Sequence, residues 1–543
     1  MAGGLLNLVS GGSQNAIMYG NPQKTYWVSS YKQITNFGLQ NFRVDYEGLR
    51  DLQLTTDSTF SFKIKRYAEL LTYTYLVIQL PDIYSPVYEY IDYTVSPNVT
   101  YKYPYEFKWI KNIGAMMVRS IKFTVGGALI QQISGYDMVA LANRDLTSTE
   151  KQKWDEMIGN VPELYDPASV HGFYPNAQYY VDGSEPSIRG RELRIPLPIW
   201  WSLNSQQAFP LVCLQYNELQ VEVTLRSIRE LFQINNVTGD VNLDGGVGLN
   251  TSVIAPNMVL PEHQIYLFLQ SPPSAGTFAQ TSTQYLKTYS WKTNIHLSCT
   301  YCFLSEEEAY VFASKEQNYL VRELYDTWFS NISVTDKVWL QNSTDLVLQW
   351  MMLFQRNDVF QRNEWSNFTN WPFDYLPNDI VAPSTSKDSN NNPLYYMPAF
   401  SVENIKDIPL SIGITFDGTT REEERPSSIY YEQQYLRSKG GGFTSLPGMY
   451  AYNFCLQTDP FSLQPSGAIN LSRYSKIELL LKTITPTLNP NFQGNIICDS
   501  TNGLAIGNFK TNLYNYTYQL LVIEERYNIL SFVGGNVGLM NAR

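Results

Sequence analysis

The residues best equipped for chemistry in this sequence are few and scattered. His296-x-x-Cys299-x-x-Cys302 places an imidazole and two thiols in one short segment. Such ligands hold zinc when a fourth completes a tetrahedron. No second C-x-x-C supplies that ligand, and the segment reads as a strand, where thiols three residues apart point to opposite faces. Cys299 and Cys302 are therefore expected as small buried strand residues, and no metal is assigned to them. Asp240, Asn242 and Asp244, followed by Gly245, match the first half of a calcium loop, with oxygen ligands at alternate positions before a turning glycine. The position that should close the loop with a bidentate carboxylate is Thr251. The segment reads first as a polar turn, with those three residues as its calcium candidates. His171 and His263 stand apart from His296, and no G-x-S-x-G, H-E-x-x-H, Walker A or G-x-G-x-x-G pattern occurs. The expectation is no catalytic residue, no cofactor and no enzyme. A carboxylate pair assembled by the fold, as in glycosidases, would leave no such motif and stands as a rival.

The elements around these residues are strands. Ile121, Phe123 and Val125 alternate with Lys122 and Thr124, Gly126-Gly127 supplies the two positive-φ positions of a tight hairpin, and Ala128 to Gln131 runs back. Leu219 to Leu225 alternates without a break, as half-buried antiparallel sheet does. Two capped helices interrupt the β pattern. Thr147-x-x-Glu150 opens one that stops at Gly159, and Ser305-x-x-Glu308 opens the other. A strand followed by a capped helix in each half hints at one sandwich duplicated. The expected organisation is an arm over 1–24, a first β-sandwich over 25–234, a junction over 235–261 and a second sandwich over 262–543. Long polar or aromatic loops are expected from Tyr84 to Tyr105, around Asn235 to Asn257, and from Asp374 to Met397.

Composition narrows the function. At 543 residues the chain suits two domains. Only 16% of residues are charged while 14% are aromatic, with 40 Tyr among them. Such a surface is suited to burial against neighbours, although a glycan-binding, lectin-like attachment protein would share it. A net charge of −11 without clustered Lys and Arg argues against direct nucleic-acid binding. Five cysteines argue against a disulfide framework and for a reducing compartment such as the cytoplasm. No apolar run approaches the ~20 residues that cross a bilayer. The sequons at Asn236, Asn250, Asn331 and Asn342 are the glycosylation candidates. In the Gly-rich arm, Leu5, Leu6, Leu8 and Val9 form a segment too short to fold alone, of the kind that orders on a partner.

Several long segments carry a family likeness. WIKNIGAMMVRSIKFTVGGALIQQISG, GRELRIPLPIWW, WKTNIHLSCTYCFLSEEEAYVFASKEQNYLV, QRNEWSNFTNWPFDYLP and the closing YQLLVIEERYNILSFVGGNVGLMNAR follow one another in order. Together they resemble the major capsid proteins of nucleocytoplasmic large DNA viruses. The resemblance implies an all-β double jelly roll of two eight-stranded sandwiches with a few short helices. It further implies a homotrimer that forms a pseudo-hexagonal capsomer of an icosahedral shell, in a virion assembled in host cytoplasm. The implied partners are neighbouring capsomers, minor capsid proteins and a penton protein, with an internal membrane nearby. The arm would lie at the capsomer base, and the long loops would form its outward crown.

Overall fold

The computed structural model describes residues 35–540 apart from 49–50, 85–86, 93–98, 105–106, 166–184, 204–206, 236–252, 260–262, 272–284, 342, 344, 372–405, 442–446, 463 and 487–515. Alternating apolar residues fold into two β-sandwiches. In the first, one sheet runs β1 (Gly38–Asp45), β9 (His296–Phe303), β3 (Leu70–Gln79). The far edge of β3 is shared by β6 (Glu192–Pro196) and the short β7 (Phe209–Pro210). The facing sheet runs β2 (Ser58–Lys63), β8 (Leu219–Leu225), β4 (Val118–Val125), β5 (Ala128–Ile133).

The second sandwich repeats this plan. One sheet runs β10 (Gln317–Ile332), β18 (Tyr518–Val533), β12 (Leu346–Arg356), with β15 (Met449–Asn453) and β16 (Ile469–Asn470) sharing the next edge. A short β19 (Asn536–Leu539) folds back on β18. The facing sheet runs β11 (Thr335–Trp339), β17 (Ile477–Thr483), β13 (Pro409–Phe416), β14 (Thr419–Pro426). Taking each shared edge as one position, both sandwiches order their eight strand positions 1-8-3-6 and 2-7-4-5, with the pairings of positions three, four and seven antiparallel in both. This is the jelly-roll permutation, made twice.

Antiparallel alternation fixes where the connections lie. Links that leave odd positions emerge at one end of each sandwich, and links that leave even positions emerge at the other. In both sandwiches the long excursions leave positions three, five and seven. They run from Gln79 to Val118, Ile133 to Glu192 and Leu225 to His296, then from Arg356 to Pro409, Pro426 to Met449 and Thr483 to Tyr518. Links at the opposite end include Lys63 to Leu70, Val125 to Ala128 and Phe416 to Thr419. The first of the expected long loops holds a hairpin, with Val87–Asp92 paired to Val99–Pro104.

Local chemistry explains the regular pieces. Gly126 and Gly127 take φ of 58° and 84°, the two left-handed positions the β4–β5 hairpin needs. Helix α2 (Ser148–Ile158) has its full capping box, with Thr147 and Glu150 bonded reciprocally, and ends on Gly159 at φ 76°. Helix α1 (Gly135–Asp145) also carries a reciprocal box, between Ser134 and Asp137. Its Asp stands where the usual signature has Glu or Gln, so the sequence pattern did not announce it.

Three expectations change. Residues 296–303 were placed in the second sandwich, but β9 is hydrogen-bonded to β3 and completes the first. The first sheet system therefore extends past the expected junction, because a jelly roll inserts its last strand beside its first. Ile265–Leu267 also falls in the range expected for the second sandwich, yet it is a 3-10 turn whose Ile265 is buried in the core of the first. Helix α3 (Glu306–Ser314) precedes the second sandwich, whereas α1 and α2 lie between the fifth and sixth positions of the first. The two capped helices are thus not duplicates, and Ser305 makes no side-chain cap bond. The duplication lies in strand order.

Candidate functional site: the seam and the exposed apolar faces

A continuous core joins the two sandwiches. Ile133, Met138, Trp200 and Phe209 of the first belong to the same buried cluster as Met351, Leu353, Ile523 and Phe532 of the second. Rings cross the boundary: Phe209 meets Phe532 at 5.3 Å, Trp200 meets Tyr319 at 5.0 Å, and Tyr136 meets Trp328 at 5.3 Å. An interface this apolar holds its halves as one body.

An ionic cluster is sealed within it. Arg144, at the end of α1, is fully buried and forks onto Asp145 at 2.7 and 2.8 Å. Its Nη1 donates across the seam to Glu525 Oε2 on β18 and to Gln349 Oε1 on β12, each at 2.6 Å. Arg322 on β10 donates to the other Glu525 oxygen at 3.3 Å and to the carbonyls of Thr458 and Asp459. Burial alone would raise the Glu525 carboxyl, but Arg144 and Arg322 outweigh it and hold the group below its usual range. At Asp145 burial wins over Arg144, and the carboxyl sits above its usual range.

A second buried pair crosses the same boundary. Asp137 caps α1, its Oδ2 accepting from Ser134 N at 2.7 Å and Oγ at 2.9 Å. Its carboxyl also meets that of Asp326 on β10. Neither Asp137 Oδ1 nor Asp326 Oδ1 receives a donor from elsewhere in the protein. Burial and a neighbouring carboxylate both disfavour the charged form. Burial first, then each other's charge, lifts Asp137 well above its ordinary range, and burial lifts Asp326.

The long-connection ends are also tied together. Asn363, left-handed at φ 54°, donates to the carbonyls of Arg229 at 2.7 Å and Phe232 at 2.8 Å. Trp365 Nε1 donates to Glu230 O at 3.0 Å, and the Arg226 guanidinium lies 4.2 Å over the Trp365 ring. At the opposite end Gln215 N donates to Gly535 O at 3.1 Å. The two sandwiches therefore stand side by side, with long ends together and short ends together.

Both models of one viral family match the chain. One described as "Major capsid protein N-terminus" covers residues 25–259, and one described as "Large eukaryotic DNA virus major capsid protein" covers 308–538. The chain belongs to the major capsid proteins of large eukaryotic DNA viruses. The major capsid protein of Paramecium bursaria Chlorella virus 1 is 22% identical over 100% of both chains. That of Phaeocystis pouchetii virus is 29% identical over 44% of each chain. Probable capsid protein 4 of Acanthamoeba polyphaga mimivirus is 28% identical over 43% of this chain and 40% of its own. The chain thus spans less than half the length of the latter two relatives. Among solved structures, the PBCV-1 virus capsid chain superposes with a TM-score of 0.59 at 17% identity, covering 96% of this chain and 100% of that one. The Faustovirus major capsid protein gives 0.58 at 12% identity, covering 93% and 92%. The double jelly roll is the shared fold, and the lectin-like reading finds no support among these relatives.

For a capsid protein the surface matters as much as the seam. No residue of α3 is buried, and its Tyr310 is 74% exposed beside exposed Val311. Tyr435, Leu436 and Leu456 are also exposed. The aromatic-rich, charge-poor composition pointed to such surface, but nothing local in the sequence singled out these positions.

Of the residues first considered for chemistry, Cys299, Cys302, His263, His296 and Asn331 are among the described residues. Cys299 is fully buried, and burial pushes its thiol up to about 12. Cys302 is buried as well, but Cys299 and Tyr301 belong to the core cluster of the sandwich and Cys302 does not, as expected for thiols on opposite faces of the strand. His263 accepts from Asn257 N at 3.0 Å. Among the described residues no group of three or more His, Cys, Asp and Glu is placed to hold a metal. Asn331 is exposed at the β10–β11 turn, φ 58°, and accepts from Thr517 Oγ1 at 3.1 Å. His171, the calcium candidates Asp240, Asn242 and Asp244, the sequons Asn236, Asn250 and Asn342, and the arm residues Leu5, Leu6, Leu8 and Val9 lie outside the described residues.

Proposed function

We propose that this chain is a shell-building subunit with a structural and non-catalytic role, acting as a trimer. The observation that carries the reading is the doubled strand permutation with its ends aligned. Three copies present six similar lobes, so a threefold assembly has a nearly hexagonal outline that tiles an icosahedral shell. The exposed side chains of α3 and of the Tyr435–Leu456 region would supply apolar contact between copies. The long-connection end would face outward, where insertions are tolerated, and the short-connection end inward. Minor capsid proteins, a penton protein and a nearby membrane are the expected inner neighbours, with assembly in host cytoplasm. Asn331, exposed near the end of β10, and Asn236, Asn250 and Asn342 are the sites proposed for glycans.

Light scattering with negative-stain imaging tests this reading. A mass three times 62.2 kDa with hexagon-like particles is expected. A stable monomer at dilution would remove it. Deleting residues 2–24 should leave the trimer intact and impair shell formation. Monomers from that deletion would instead place the arm in the trimer contact.

A further inference from the structure

The seam joins two surfaces that each sandwich owns a version of. Alternation along β12 and β18 sends Met352, Phe354, Leu520 and Val522 into the second sandwich's own core. It turns Met351, Leu353, Leu521 and Ile523 outward, into the core shared across the seam. The first sandwich covers this outer sheet face with β5, at position five, and with α1, in the connection that leaves position five. Gln131 of β5 donates to Arg322 O on β10, and Tyr136 of α1 meets Trp328 on β10. Arg144 of α1 bonds Gln349 on β12 and Glu525 on β18.

One surface of each kind is left over. In the second sandwich, the connection leaving position five carries a helical turn over Ile429–Glu432 and a 3-10 turn over Gln433–Leu436. Tyr430 anchors it in the second core, whereas Tyr435 is 65% and Leu436 71% exposed. Thr458 N donates to Arg437 O at 2.9 Å, which brings the segment of Leu456, itself 77% exposed, alongside. In the first sandwich, the left-over surface is the outer face of β1 and β9. Asn41 and Arg43 on β1 are exposed there, and His296, Ser298 and Thr300 on β9 are partly exposed. Amide and hydroxyl groups of this kind suit a contact made between folded chains, which is as a whole no more apolar than ordinary surface.

We propose that the Tyr435, Leu436 and Leu456 patch of one copy docks on the outer β1–β9 face of a second copy. The contact repeats between chains what α1 does within the chain. The inference rests on the trimer reading and names the surfaces that meet in it. Because the two patches differ, the contact is heterologous, the kind that closes into rings. Seams within chains and docked patches between chains then alternate around the ring.

The test uses the purified full-length protein with the photo-reactive p-benzoylphenylalanine in place of Tyr435, an aromatic replacement at an exposed site. After irradiation, covalent dimers are isolated under denaturing conditions and their linked peptides identified by mass spectrometry. The links should join the Tyr435 peptide to peptides holding residues 39–45 or 296–300. Leu436→Asp and Ser298→Arg, one on each surface, should each weaken the trimer at least about tenfold in sedimentation. The cross-link map depends on neither substitution, so a misfolded variant leaves the test standing. Trimers whose links fall on other peptides, or whose affinity is unchanged in either folded variant, would overturn this inference and leave the trimer reading in place. A monomer under all conditions would overturn both.

Discussion

The eighth strand positions of the two sandwiches share one topology and differ in what covers them. β9 lies between β1 and β3, with buried positions alternating with partly exposed ones as far as its bulge. β18 lies between β10 and β12 and is buried almost throughout, with Glu524, Glu525 and Arg526 in its middle. One face of β18 meets its own sandwich and the other meets the seam. The same fold thus makes a half-wet strand in one place and an enclosed one in the other. Charged groups in the enclosed strand must be answered in pairs, and Arg144 from the first sandwich answers Glu525.

The largest test of this contrast sets Arg144 against Arg119. Arg144→Ala leaves buried Asp145 without its partner and Glu525 with Arg322 alone, and should cost about 3–5 kcal/mol in chemical denaturation. Arg119, a half-exposed partner of Asp57 and Glu230, should cost less than about 1 kcal/mol when replaced by alanine. Similar losses at the two positions would erase the distinction between seam and surface.

The carboxyl pair comes next. Asp137 and Asp326 titrate above their ordinary range, so the folded protein keeps a proton that the unfolded chain has already lost. Their contribution is complete below the unfolded carboxyl value and is lost as pH rises through the raised native ones. Asp326→Asn supplies a permanent N–H in place of that proton. The stability of this variant relative to the unmodified protein should therefore grow from acid to alkaline pH. A difference that is flat with pH would mean the two groups share nothing.

The smallest expected effect separates the helices. Thr147→Ala removes a bonded cap and should cost about 1 kcal/mol, while Ser305→Ala should be nearly silent because Ser305 caps nothing through its side chain. Equal effects would mean that the cap bond at α2 has no weight.

Much of the fold was legible where one strand face is wet. Ile121 to Val125 and Leu219 to Leu225 could be read directly because alternation survives when only one side is covered. The extents of β12 and β18 were harder, since covering both faces erases the period. The home of β9 was not legible at all, because no local pattern says which sheet a strand will join. The seam was the least visible. Arg144, Glu525 and Arg322 are far apart in sequence and meet only once both sandwiches exist, whereas Cys299 and Cys302, which stood out by type, are buried strand residues.

The insertion of the last strand between the first and third has a consequence for synthesis. While residues 39–295 emerge, β1 and β3 have no common neighbour, and the slot between them stays open until His296–Phe303 leaves the ribosome. The second half repeats the delay, since β10 and β12 wait for Tyr518–Val533. Contacts of such long sequence separation form slowly and leave sheet edges bare in the meantime. Each half is thus locked by its eighth strand, and the nascent chain carries an unfilled groove in each half until that strand emerges.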